Sequence, residues 1–395
     1  MNSKYKIFTY KSTMWADASG YYVYLPATFI YQWDVKKLPS GIDTLTGRGF
    51  STDTSKNAIF TKYTSGISYL QLPFFAAAHL YASITGEEAN GFSQVYVNSL
   101  LFSGVFYLLL ALFCLYYFLL DYFGKLPSLF TCLALLAATN LYYYGIEHPG
   151  LSHVYSFFLI CGSLLLIQKN SRNMLIIVVP AAVLLVLIRP TNIVAVVTLL
   201  FIHFDLNAYS IRQFIKIRQL YIGLLAGLLF LIPQLFYWHS LTGQWLMYSY
   251  QNEGFIYWNR PFIAEVLLAA CNGFLTYAPV FLLAFAGLIW KPLTRINSII
   301  ILISFALITY LNASWWCWPF GCAYGGRAFI EYYPFLAIGL AAFINQFVDK
   351  GKKSTYTIAI ILLALSFLNL KLLYNYDDCF YGGTWDYHVI RDLLF

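Results

Sequence analysis

A single carboxylate set among aromatic residues marks the stretch Trp15-Ala-Asp17-Ala-Ser-Gly20-Tyr-Tyr-Val-Tyr-Leu-Pro26. An isolated acid suits displacement of a sugar from a phosphate. There the acceptor hydroxyl must lose a proton, while the leaving phosphate is already a weak base and needs none. Glycoside hydrolysis ordinarily uses a pair of carboxyl groups. One carboxylate as general base, with cations to hold the phosphate, is a sufficient set. Asp17 equally fits a plainer role, capping a helix that begins near Ser19 or Tyr21, since Asp is favoured at that position.

Further clusters bear on the same chemistry. Phe60-Thr-Lys62-Tyr63-Thr-Ser-Gly66 puts a lysine beside a hydroxyl-rich turn, where it can hold a phosphate or reach anionic lipid headgroups. Glu147-His148-Pro149-Gly150-Leu151-Ser152-His153 brings titratable residues close together in a short loop. Two His and one carboxylate are a thin ligand set for a metal. A plain Pro-Gly turn, with His153 hydrogen-bonding a sugar or phosphate, is the better reading. Arg189-Pro-Thr-Asn192 lies between two apolar runs, where an unpaired arginine is costly and proline ends a helix. This arginine serves a site or reaches headgroups.

Trp315-Trp-Cys-Trp-Pro-Phe-Gly-Cys-Ala-Tyr324-Gly-Gly-Arg327-Ala-Phe-Ile-Glu331-Tyr-Tyr-Pro334 is the densest aromatic loop, with Arg327 its only cation. Aromatic rings suit sugar faces, and an arginine fork can grip a phosphate. The plain alternative is an aromatic belt in which Arg327 pairs with Glu331 four residues on. Tyr248-Ser-Tyr-Gln-Asn252-Glu253 and Asp377-Asp378 lie on outward stretches where either can touch an acceptor. Adjacent acids alone are too few to hold a divalent cation.

These residues must be positioned by a membrane scaffold. Of the 395 residues 60% are hydrophobic and only 10% charged, with a mean hydropathy of +0.65, whereas soluble domains carry roughly a quarter charged residues. Apolar runs fall at about 95–120, 127–146, 153–168, 174–188, 191–204, 219–238, 271–290, 297–312, 333–348 and 355–373. They are read as helices, because an open strand in lipid leaves backbone groups unpaired. The +7 net charge does not point to nucleic acid, because the basic residues are scattered singly between apolar runs. Lys125, then Lys169 and Arg172, then Arg212, Lys216 and Arg218, then Lys291 and Arg295, then Lys350, Lys352 and Lys353 occupy every second loop. Those loops are expected to be cytoplasmic. The alternate loops, nearly free of Lys and Arg apart from Arg189, Arg260 and Arg327, are expected to face outward.

Counting back places residues 1–94 outside as well, yet nothing in Met1 to Tyr10 resembles a signal peptide or a span. The expectation is a first helix upstream of Met1. Residues 14–94 read as short amphipathic helices lying at the interface, such as Tyr21 to Trp33 and Tyr69 to Tyr81. Seven cysteines show no metal-ligand spacing, and only Cys317 and Cys322 share a polar loop where a disulfide is conceivable. No glycine-rich phosphate loop is present for a nucleotide sugar.

Taken in order, Asp17-x-x-Gly-Tyr-Tyr-x-Tyr-Leu-Pro26, Lys62-Tyr63-x-x-Gly66, Ser152-His153-x-Tyr-Ser156, Arg189-Pro-Thr-Asn192 and Tyr324-Gly-x-Arg327 resemble bacterial membrane glycosyltransferases of the GT-C superfamily. That group includes dolichyl-phosphate-mannose protein mannosyltransferases and aminoarabinose transferases. The resemblance spans most of the chain and rests on order and placement, since each fragment is short. It implies a sugar donor on a polyprenyl phosphate, inverting transfer on the periplasmic side, and an acid in the first outer loop as base. Asp17 matches that acid, although the frequent adjacent acidic pair is reduced here to Asp17-Ala18. By similarity Lys62 and Arg327 hold the lipid phosphate. The upstream first helix expected above is part of that fold.

The combined expectation is an all-α, polytopic, GT-C-like integral protein of the inner membrane with its catalytic face outside the cytoplasm. Residues 1–94 form the first outer segment, 95–373 the transmembrane domain and 374–395 an outer tail. Asp17 is the expected catalytic base. Lys62, Arg189 and Arg327 are expected on the donor phosphate, and Tyr63, His153, Tyr324 and Glu331 on the substrate. No metal or other cofactor is expected. The expected partners are a polyprenyl-phosphate-linked sugar, the bilayer, and a glycan, lipid or protein acceptor. The alternatives are a transporter or flippase for a lipid-linked saccharide, and a membrane assembly subunit without chemistry of its own.

Overall fold

The computed structural model describes residues 8–169, 172–207, 211–290, 296–321, 323–376 and 386–395. Asp377, Asp378, Cys322, Lys291 and Arg295 lie outside the described residues.

The aromatic first stretch folds into a layer of its own before the long helices begin. Helices α1 (Asp17–Tyr22) and α2 (Tyr24–Phe29) are joined through Val23, and α3 (Ile42–Leu45) is a single turn. Strands β1 (Phe50–Asp53) and β2 (Ala58–Thr61) pair antiparallel, with Phe50 opposite Thr61 and Asp53 opposite Ala58. Helix α4 (Gly66–Thr85) follows. Tyr22, Leu25, Phe50, Ile59, Phe75, Phe92 and Tyr96 close the layer into a core separate from that of the bundle.

The expectation of interfacial helices alone is therefore corrected by a β-hairpin. Its strands carry β-branched and aromatic residues around the polar turn 54–57, which is the composition a hairpin asks for. Four residues per strand give too short a period-two signal to stand out from the helical pieces around them.

The apolar runs form α5 (Gln94–Phe123), α6 (Lys125–Ala137), α7 (His153–Gln168), α8 (Leu175–Ile188), α9 (Ile193–Asn207) and, after the single turn α10 (Ile211–Phe214), α11 (Arg218–Thr242). Two short helices, α12 (Ile263–Leu268) and α13 (Phe274–Tyr277), precede α14 (Phe281–Trp290) and α15 (Ser298–Ser314). Then come α16 (Tyr333–Asp349), α17 (Lys352–Asn375) and α18 (Tyr387–Leu394). The run read as one segment over 271–290 is two helices, because Pro279 pushes Ala278 out of helical geometry (φ −136°, ψ 60°).

Gln94–Phe123, Pro190–Asn207, Arg218–Thr242, Arg327–Asp349 and Lys352–Asn375 are long and apolar enough to cross a membrane. The chain is a membrane-embedded, mostly helical protein. Arg327–Asp349 is 94% buried and forms the bundle's axis, whereas the other four are only 22–39% buried. Their outer faces carry exposed Leu225, Leu229, Ile360, Leu363 and Phe367. In water that surface would be an aggregation liability, and against hydrocarbon it is the favoured face.

Helix direction sorts the ends of the bundle. At one end Gln168 bonds Asp121 (2.9 Å), Gln219 bonds Asn173 (3.3 Å) and the Asn297 amide bonds Asp205 (2.9 Å). The basic loops at Lys125, Lys169–Arg172, Lys216–Arg218 and Lys350–Lys353 belong to this end. At the other end gather the first residues of α7 and α9, the last of α8 and α15, and the start of the 3₁₀ helix Arg327–Tyr332 that leads into α16.

Candidate active site

That second end encloses a cavity of about 480 Å³. Asp17 enters it from a constrained backbone. Ala16 stands at φ 48°, ψ −122°, a region costly for a residue with a Cβ, and its N–H is held by the Thr46 carbonyl at 2.9 Å. Gly49 packs so closely that a Cβ there would strike the Ala16 carbonyl and the Gly20 amide, so the hairpin clasps α1 where only glycine fits. Thr61 Oγ1 completes the clasp by donating to the Gly20 carbonyl at 2.9 Å.

Asp17 does not cap its helix: α1 has no side-chain cap bond, and both carboxylate oxygens are engaged elsewhere. Tyr63 donates its hydroxyl to Oδ1 at 2.5 Å, and Arg327 Nη2 donates to Oδ2 at 3.0 Å. Burial works against the charge on Asp17. The Arg327 guanidinium, the Tyr63 hydroxyl and the Lys62 ammonium outweigh it and hold the carboxyl below its ordinary range. Burial, reinforced by the neighbouring Asp17 charge, raises the Tyr63 phenol well above its ordinary value, so it remains a donor.

Lys62 and Tyr63 follow directly from β2. Tyr237 fixes that strand, accepting from the Thr61 amide at 2.9 Å, and the Ser249 hydroxyl holds the Lys62 carbonyl at 2.6 Å. Gly66 lies where a Cβ would come within 2.6 Å of the Ile188 amide, which brings this turn against the end of α8 beside Arg189. Lys62 Nζ is paired with Glu253 at 2.5 Å. Tyr21, Tyr250, Phe255, Trp315 and Phe320 supply most of the aromatic wall.

Beneath that wall Glu331 is 1% exposed, and its Oε1 accepts from Arg189 Nη1 at 3.0 Å and contacts His153 Nδ1 at 3.0 Å. Its Oε2 has no hydrogen-bond partner among the described residues. The helical pairing of Arg327 with Glu331 is thereby overturned. Arg327–Tyr332 is a 3₁₀ helix, in which residues three apart eclipse and residues four apart diverge. Arg327 turns to Asp17, and Glu331 turns inward to Arg189.

Exposure separates the three cavity cations. Arg189 pairs with an acid that is 1% exposed, whereas Lys62 and Arg327 pair with acids 27% and 34% exposed. A partly exposed pair is worth less than a buried one, and breaking a buried one leaves an uncompensated charge. Of the three, Lys62 and Arg327 therefore cost less to draw from their present partners, and Arg189 costs most to uncouple from Glu331.

Of the residues singled out in the sequence, Asp17, Lys62, Tyr63, His153, Arg189 and Arg327 line one cavity. Tyr324 and Glu331 do not. Tyr324 is fully buried behind the site, its hydroxyl bonding Asn369 at 2.9 Å and its carbonyl accepting from Asn140 at 2.9 Å. Asn369 in turn donates to the carbonyls of Ala137 and Thr139, so this knot fastens the tryptophan-rich loop to α6 and α17 and aims Arg327. Comparison with protein families, characterised proteins and solved structures gives no match.

The stretch Tyr248–Glu253, expected to touch an acceptor, puts Tyr248, Tyr250 and Glu253 on the wall, while sequence reasoning missed Asn312 there and the pairing of Glu253 with Lys62. Asn312 did carry a signal, an amide at the end of an apolar run. Among the described residues no group of three or more His, Cys, Asp or Glu is placed to hold a metal ion.

Proposed function

We propose that the protein is a membrane glycosyltransferase that moves a sugar from a polyprenyl-phosphate donor to an acceptor hydroxyl, on the extracytoplasmic face of the cell membrane. The observation that carries this reading is a carboxylate, Asp17, bonded to Arg327 in an aromatic cavity at the end of the bundle opposite the basic loops, with the cavity's other carboxylate, Glu253, paired to Lys62. Charge in short loops favours the cytoplasm, which supports an outward cavity.

Asp17 takes the proton from the acceptor hydroxyl as its oxygen bonds to the sugar's anomeric carbon. The bond from that carbon to the phosphate oxygen breaks, and its electron pair leaves with the polyprenyl phosphate. Attack opposite the leaving group inverts the anomeric configuration. Arg327 and Lys62 hold the added charge on the departing phosphate. Their present acid partners make this a coupled exchange. As the donor phosphate draws Arg327 away, Asp17 loses the cation that weakens it as a base, and its proton affinity rises in the complex.

Asp17→Asn removes the base and is expected to lower transfer by about 100- to 10,000-fold while the protein still folds and inserts. The assay is sugar transfer from radiolabelled polyprenyl-phosphate sugars, with release of free polyprenyl phosphate as the second readout. Full turnover by Asp17→Asn refutes the role of base. Movement of the intact lipid-linked sugar without release of polyprenyl phosphate would instead mark a transporter or flippase.

A further inference from the structure

His153 begins α7 with 4% of its surface exposed and lines the cavity. Its Nδ1 lies 3.0 Å from Glu331 Oε1, and that oxygen also accepts from Arg189 Nη1 at 3.0 Å. A carboxylate beside a guanidinium has no proton to give, so the proton belongs on Nδ1 of the imidazole. The 3.5 Å approach of Arg189 Nη1 to Nδ1 then brings two donors face to face and is not a hydrogen bond.

Burial favours the neutral ring, and protonation at Nδ1 then leaves Nε2 with a lone pair. Glu331 is not part of the cavity wall, and Nε2 is not among the buried nitrogens that lack a partner, which fits a ring whose other edge faces the cavity. An imidazole nitrogen in this form accepts and does not donate. It repels phosphate oxygens, which themselves only accept, and it binds a hydroxyl. In the same cavity Lys62 and Arg327 supply donors suited to an anion. The wall also holds Asn312, whose amide nitrogen has no hydrogen-bond partner among the described residues.

We infer that His153, oriented by Glu331, is a fixed hydrogen-bond acceptor that reads a hydroxyl of the donor's sugar, making it a specificity-determining residue distinct from the groups that hold the phosphate. This inference rests on the glycosyltransferase reading above. A site built to bond a hydroxyl discriminates strongly against ligands lacking it, because the buried acceptor is then left unpaired.

The test measures binding of a short-chain polyprenyl phosphate and of its mannosyl, glucosyl and arabinosyl esters to the full chain in detergent. Wild type is expected to bind at least one ester more tightly than the bare polyprenyl phosphate. His153→Asn keeps an N–H where Nδ1 stands and so retains the bond to Glu331, but it has no acceptor at the Nε2 position. It should lose about tenfold in affinity for the preferred ester with unchanged affinity for bare polyprenyl phosphate. His153→Gln places an amide where Nε2 stands and should recover part of the loss. Equal loss for ester and bare lipid, or no loss for the ester, overturns the inference and leaves the glycosyltransferase reading standing. Wild type that binds none of these lipids overturns both.

Discussion

Replacing Arg327 with Gln separates the two tasks assigned to that guanidinium, holding the phosphate and restraining Asp17. The substitution removes a charge-assisted hydrogen bond of the kind now made to Asp17 Oδ2 at 3.0 Å. Such a bond is worth about 1.5–3 kcal/mol. If it passes to the phosphate in the transition state, kcat/KM falls by about 10- to 150-fold. The pH dependence is sharper. Asp17 is held below its ordinary 3.8, with Arg327 the strongest of the influences that lower it. A group of this kind stabilises the folded state above its unfolded value, and that stability is lost as pH falls through the lowered one. Without Arg327 the strongest lowering influence is gone and the carboxyl moves upward. Because kcat/KM reports the free enzyme and kcat the complex, the wild-type acid limb should lie at lower pH in kcat/KM than in kcat. In Arg327→Gln the two limbs should draw together at the higher pH. Initial rates of transfer across an acid-to-neutral pH series supply both profiles. Wild-type rates in the variant, or acid limbs that do not separate in wild type and do not move in the variant, refute the exchange of Arg327 between carboxylate and phosphate.

Other perturbations probe the scaffold. Glu331→Ala strips the buried partner from Arg189 and should destabilise the fold by about 3–5 kcal/mol, read as a fall in thermal unfolding temperature in detergent; an unchanged temperature contradicts the buried pair. Gly49→Ala drives a Cβ into the backbone of Ala16 and Gly20, and the displaced Asp17 should lower transfer by about 100-fold with insertion intact. In a background lacking the seven native cysteines, single cysteines at Lys56 and Lys353 should react with an impermeant maleimide from opposite sides of the bilayer. Labelling of both from the same side ends the case for an outward cavity.

How far this site was legible from sequence depends on how far apart its partners lie. The helices were readable because apolar period and length are local properties, and α5, α7 and α8 fall on the runs at 95–120, 153–168 and 174–188. The candidates were readable because lone charged residues beside apolar runs are costly and draw notice. Their pairing was not. Asp17 meets Arg327 across 310 positions and Lys62 meets Glu253 across 191, and no local pattern encodes either contact. Where a local rule was available, one of its two readings failed: spacing of four allowed a helical Arg327–Glu331 pair that does not form, and Tyr324, expected on the substrate, is buried behind the site.

Both corrections share a cause. The loop from Tyr324 to Tyr332 is tied down by Asn140 and Asn369 before α16 begins, and its 3₁₀ twist sends consecutive polar residues to different depths. Tyr324 is taken up by the tether, Arg327 is raised into the cavity, and Glu331 is sunk beneath it, where it commits Arg189 and orients His153. The division between cations whose acid partners are partly exposed and the one whose partner is buried thus follows from the depth of the acids they meet. Depth here is a property of the turn, not of composition.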